Sequence, residues 1–181
     1  MKDWKWFLER SKDFQNEPEH PLSNKEELFE YLENCNINSD SIILDVGCGR
    51  SDELRIFLSS KFNVNDYIGL DIVNYNDDFK IVRDVHDMGF FPINFDILIY
   101  NNVLEHSISP YLALLEANRV LKPEGIVIIG LPKGDGHDVS ESHFIVLSDR
   151  QLKNLLNKTG FKLIDDKSVN TMHYYTARKM K

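Results

Sequence analysis

From Ser41 onward, short apolar runs alternate with helix-like segments, and few folds accommodate that alternation. Residues 41–46, 67–71, 80–84, 95–100 and 126–131 read as strands, and residues 52–61 as a helix. A second helix, 110–121, has proline at its first turn, where a missing amide proton costs little, and Lys122-Pro123-Glu124-Gly125 stops it. Ser148 caps a third helix running to Lys158, which Gly160 ends, and residues 161–165 and 172–177 close the chain as two strands. Strands apolar on both faces and separated by helices indicate a parallel sheet covered on both sides. The final two strands lie too close for a parallel crossover, so they pair antiparallel with each other or insert so that one runs against the rest. The expected fold class is α/β: a Rossmann-like, doubly wound, mostly parallel seven-stranded sheet with an antiparallel strand near the C-terminus.

Ahead of Ser41 the chain is charged, with turn signals at Pro18 and Pro21. Leu28, Phe29, Tyr31 and Leu32 follow helical spacing after Ser23 or Asn24, either of which suits a helix cap. Residues 1–40 are therefore expected as an N-terminal helical extension packed on or capping a domain of residues 41–181. Trp4, Trp6 and Phe7 are expected to anchor that extension on the sheet rather than form a lid. With 181 residues, 42% of them hydrophobic, there is material for one sizeable core.

Lys and Arg number 21 against 29 Asp and Glu, a formal net charge of −8, which disfavours a nucleic-acid partner. The two cysteines, Cys35 and Cys48, read as free thiols of a reducing compartment. No apolar run approaches the ~20 residues of a membrane span, and Met1-Lys2-Asp3-Trp4-Lys5 is too polar for a signal peptide. The expectation is a cytoplasmic protein, monomer or homodimer, with no membrane association.

In an open parallel sheet, ligands bind beyond the carboxyl ends of the strands. The first strand ends in Asp45-Val46-Gly47-Cys48-Gly49, whose glycines permit positive φ and close approach of a ligand. The second ends at Asp71, roughly twenty residues on, the distance at which a carboxylate meets ribose hydroxyls. The third ends at Asp84-Val85, where a carboxylate and an amide can read adenine. A dinucleotide turn carries a third glycine, but that position is Asp52; with Asp45 it makes the turn acidic, repelling pyrophosphate and favouring a sulfonium.

Those segments, with Gly69-Leu70-Asp71, Arg83-Asp84-Val85, Phe95-Asp96-Ile97-Leu98, Asn102-Val103-Leu104-Glu105-His106 and Ala117-Asn118-Arg119-Val120-Leu121-Lys122-Pro123-Glu124-Gly125, resemble the class I S-adenosylmethionine-dependent methyltransferases from about residue 41 to 165. Ser51 departs from that pattern, standing where many members have a third glycine. The resemblance implies S-adenosylmethionine as cofactor and S-adenosylhomocysteine as product. It also implies a methionine subsite of Asp45, Gly47, Cys48, Gly49 and Asn101, a ribose subsite of Asp71 with Ile72, and an adenine subsite of Asp84 and Val85.

Glu105-His106 could supply a base, although capping or bracing is the more ordinary role for such a pair. His137, Asp138 and His143 lie in a polar loop that does not follow metal-ligand spacing, so no metal is expected. His143, ahead of Phe144, resembles a stretch common in small-molecule members and is the first acceptor-side candidate, followed by His106. His86 and His173 are expected at exposed or edge positions, and Leu112, Leu115 and Val120 in the core. The expected activity is methyl transfer to oxygen or nitrogen of a small metabolite, such as a sugar or other biosynthetic intermediate. The alternatives are a methyltransferase of a protein or RNA, or a catalytically silent cofactor-binding partner subunit. Gly47→Val is expected to abolish cofactor binding with little loss of fold.

Overall fold

The structure, a computed structural model, describes residues 24–75, 78–133 and 144–181. In chain order the elements are α1 (Lys25–Leu32), β1 (Ile43–Val46), α2 (Glu53–Phe62), β2 (Tyr67–Asp71), β3 (Lys80–Val82) and β4 (Phe95–Asn101). A single 3-10 turn (Leu104–His106), α3 (Pro110–Val120), β5 (Leu121–Pro132), α4 (Asp149–Lys158), β6 (Phe161–Val169) and β7 (Met172–Lys179) follow. The seven strands form one sheet in the order β3-β2-β1-β4-β5-β7-β6. β1 pairs in parallel with both β2 and β4, while β7 inserts between β5 and β6 and runs antiparallel to each. The winding therefore reverses at β1, and the carboxyl ends of β1, β2 and β4 meet at one edge, as the alternating pattern anticipates.

Two apolar layers cover the sheet. On one face Leu98, Tyr100, Val127 and Ile129 pack with Ala113, Leu114 and Ala117 of α3 and Leu152 and Leu156 of α4. On the other, Ile43, Ile97 and Ile128 meet Leu28, Tyr31 and Leu32 of α1 and Leu54 and Leu58 of α2. Tyr31 also stacks on Tyr174 at 4.8 Å and its hydroxyl lies 2.6 Å from Thr176 Oγ1, so α1 is knitted into the β7 side of the core.

Several local expectations change. Asn24 does not cap α1 with its side chain; it adopts a left-handed φ of 52° and donates its Nδ2 to Met172 Sδ at 3.2 Å. Leu112 and Leu115 are 50% and 38% exposed, because the buried stripe of α3 runs through Pro110, Ala113, Leu114 and Ala117 at helical spacing; Val120 is buried as expected. β3 is shorter than expected, since Asp84 leaves the strand to form a bridge with Asp87. β6 is longer, its Asp165–Ser168 stretch forming a charged sheet edge of the kind that discourages pairing with other chains. Ser148 caps α4 as read, in a reciprocal box with Gln151.

Candidate active site

The turn after β1 is held from beneath. The Gly47 and Cys48 amides donate to the Leu70 carbonyl of β2 at 2.7 and 3.1 Å, and both Gly47 (φ 69°) and Gly49 (φ 61°) are left-handed. A side chain on Gly47 would meet Val103 Cγ2 at 2.5 Å, so the residue beyond β4 closes over this part of the turn. Above Gly49 a Cβ would meet nothing within 4 Å, leaving open space over the backbone.

Asp71 closes the turn from the β2 side. Its Oδ2 accepts from the Gly49 amide and its Oδ1 from the Val73 amide, each at 2.9 Å. Burial raises its pKa, against the lowering effect of those amides. A carboxylate oriented by two amides beside open backbone suits paired ribose hydroxyls, so the residues present fit an adenosine cofactor. Ile72 continues from it half-buried, and Cys48 is buried beneath, its sulfur occupying the space that a side chain on Gly69 would need. Burial pushes the Cys48 thiol well above its ordinary pKa, so this free cysteine is a packing group and not a nucleophile.

The electrostatic reason offered from sequence for excluding a pyrophosphate needs correction. Asp45 is only 3% exposed and accepts the Tyr67 hydroxyl at 2.7 Å; burial pushes its carboxyl up to about 7. Asp52 lies 3.0 Å from Lys80 Nζ and 3.2 Å from Arg55. Lys80, its side chain 5% exposed, crosses Gly69 and also donates to the Arg50 carbonyl at 2.7 Å. The acidity beside the turn is therefore largely neutralised by groups that sequence reasoning missed. A lysine opening an otherwise apolar strand was the only local signal for Lys80.

Asp84 lies at the exit of β3, with Val85 half-buried behind it against the α3-side core. Its Oδ1 accepts the His86 amide at 2.8 Å and contacts His86 Nδ1 at 2.6 Å, and the His86 bond lowers its pKa. His86 Nε2 reaches Ser107 Oγ at 2.8 Å, bracing the β3 exit against the turn beyond β4. His86 is thus at the exit of the edge strand β3, inside a bonded network and not exposed. His173 likewise stacks on Tyr175 at 4.5 Å within an internal strand.

Beyond β4, Asn101 is buried and accepts the Tyr174 hydroxyl at 3.5 Å, and Asn102 turns the chain with a left-handed φ of 56°. Glu105 follows, buried, and its carbonyl accepts the Phe144 and Ile145 amides at 2.8 and 3.3 Å. His106 is half-buried on the same turn. The structure thus gathers the β1 turn, Asp71, Asp84, Asn101 and the Glu105-His106 turn at one edge of the sheet. His143, His137 and Asp138 lie outside the described residues, as do Trp4, Trp6 and Phe7.

Such a fold and edge define an α/β domain built to hold an adenosine-bearing cofactor at the winding reversal. Residues 44–129 match the family of methyltransferase domains, and the chain resembles the class I S-adenosylmethionine-dependent methyltransferases. The chain is similar in structure to a chain of the complex that the Haloferax volcanii Trm112 methyltransferase activator forms with a candidate methyltransferase. That likeness has a TM-score of 0.77, 15% identity and coverage of 100% of each chain. An S-adenosylmethionine-dependent methyltransferase from Aquifex aeolicus has a TM-score of 0.71 and 18% identity, covering 94% of this chain and 97% of that one. The Burkholderia thailandensis 1,6-didemethyltoxoflavin-N1-methyltransferase, with 1,6-didemethyltoxoflavin and S-adenosylhomocysteine bound, has a TM-score of 0.63 and 20% identity, covering 78% and 72%. At these identities the likeness is one of fold. None of the curated protein sequences matches the chain. No helix among the described residues is long and apolar enough to cross a membrane.

Proposed function

We propose that this methyltransferase acts on an oxygen or nitrogen of a small metabolite, such as a sugar or another biosynthetic intermediate. Asp71 would hold the ribose with Ile72 alongside, Asp84 and Val85 the adenine, and Asp45, Gly47, Cys48, Gly49 and Asn101 the methionine part. When bound, S-adenosylmethionine supplies a methyl group on a positively charged sulfur. The chain's own contribution is then mainly orientation, which can offset about 7–11 kcal/mol of barrier. For a hydroxyl acceptor, His106 and His143 are the proposed proton-accepting side chains.

The observation that carries the cofactor subsites is the Asp71 carboxylate held 2.9 Å from the Gly49 amide, with open space above Gly49. The net charge of −8 supports a metabolite over a nucleic-acid acceptor. Calorimetric titration with S-adenosylmethionine and S-adenosylhomocysteine, followed by an acceptor panel read by S-adenosylhomocysteine release, tests both parts. Absence of binding by either compound at millimolar concentration would sink the proposed subsites; strongly salt-dependent RNA binding would overturn the acceptor class.

A second reading, in which the chain works with an activating subunit, draws support from the full-length likeness to a chain of the Haloferax volcanii activator complex. Full turnover by the purified chain alone would remove it.

A further inference from the structure

Glu105 is 4% exposed, and its Oε2 is buried with no hydrogen-bond partner among the described residues. Native chains rarely leave a buried carboxyl oxygen unpaired, because desolvation is then uncompensated. Burial raises this carboxyl to about 7. The fold does not need the side chain to hold the turn: the backbone carbonyl of Glu105 takes the Phe144 and Ile145 amides, and the His106 amide donates to Val103 at 3.0 Å.

The placement points outward from the cofactor turn. Val103, two residues earlier, covers Gly47, and the Phe144 and Ile145 amides are bonded to the Glu105 carbonyl. Glu105 therefore stands between the proposed methionine subsite and Phe144.

We infer that the free oxygen of Glu105 receives the methyl acceptor, accepting a hydrogen bond from its amine or hydroxyl, so that the site takes N–H or O–H acceptors and excludes carboxylates. This rests on the proposed cofactor subsites and names the acceptor chemistry they serve. An acceptor donor group supplies the partner that the protein omits. A carboxylate acceptor brings no donor hydrogen to that oxygen, and a site built around a hydrogen bond discriminates strongly against molecules that cannot make it.

Sinefungin tests the placement without a known acceptor, since it carries an amino group where S-adenosylmethionine carries the transferable methyl. Calorimetry on the full chain should show sinefungin binding about tenfold or more tightly than S-adenosylhomocysteine, the scale of one charge-assisted bond. In Glu105→Gln that preference should collapse, with S-adenosylhomocysteine affinity within about threefold of wild type. Glu105→Leu should melt no lower than wild type, because it removes an unpaired buried carboxyl. A preference unchanged in Glu105→Gln, a markedly lower melting temperature in Glu105→Leu, or a carboxylate emerging as the methylated acceptor would each overturn the inference while leaving the cofactor subsites intact. If wild type binds neither compound, the cofactor subsites fail and the inference falls with them.

Discussion

Gly47 and Gly49 have nearly the same backbone conformation but opposite surroundings, and alanine at each separates strain from collision. Both are left-handed, at φ 69° and 61°, so alanine at either costs about 1–2 kcal/mol in backbone strain. At Gly49 the new Cβ meets nothing within 4 Å, and the loss should stop there. At Gly47 it meets Val103 Cγ2 at 2.5 Å and Cγ1 at 3.1 Å, and overpacking adds about 1–3 kcal/mol. Gly49→Ala should therefore lose about 1–2 kcal/mol and Gly47→Ala about 2–5 kcal/mol. Urea titration without cofactor, read as a midpoint shift at constant slope, measures the difference. Val103→Ala in the Gly47→Ala background should recover part of it, with a coupling of about 0.5–3 kcal/mol. Equal losses at the two glycines, or no coupling to Val103, would refute the assignment of Val103 as the cover of the turn. The same contact corrects the expectation that Gly47→Val spares the fold: valine adds bulk where even one methyl collides.

Three further outcomes follow from the site. Asp71→Ala should weaken S-adenosylhomocysteine binding by about 1.5–3 kcal/mol, roughly ten- to a hundredfold by calorimetry, and unchanged affinity would contradict the ribose role. Lys80→Met should destabilise the chain by about 1.5–3 kcal/mol in urea titration and loosen cofactor binding, because Asp52 and the Arg50 carbonyl lose their shared cation; an unaltered midpoint would show that the pin is dispensable. Asp45 and Glu105 keep their protons to about pH 7 in the native state but release them near 3.8 and 4.5 when unfolded. The native chain binds more protons across that interval, so stability falls as pH rises through it, by at most about 1.4 kcal/mol per unit for each group. Asp45→Asn keeps an oxygen for Tyr67 and should flatten this slope between pH 5 and 7.5; an unchanged slope would count against the buried-acid account.

Much of the fold was legible because its signals are local. Apolar runs of strand length, Pro110 at a helix start, Ser148 three residues before Gln151, and glycine at positions needing positive φ all act within a few residues along the chain. The rotation of α3 was misread because Leu112 and Leu115 are apolar, whereas the buried stripe is set by what faces the sheet, and small Ala113 and Ala117 fit that contact.

The glycine turn and the acidic strand ends were likewise determined by the sequence alone, since strand order and strand length suffice to bring them to one edge. What the tertiary structure decided is how those charges are compensated. Lys80 reaches Asp52 across Gly69, Tyr67 answers Asp45 from the neighbouring strand, and His86 links Asp84 to Ser107. Glu105 keeps a buried oxygen with no hydrogen-bond partner among the described residues, where the acceptor is proposed to enter. Such pairings join residues far apart in sequence, and only strand register and side-chain direction determine which of them meet.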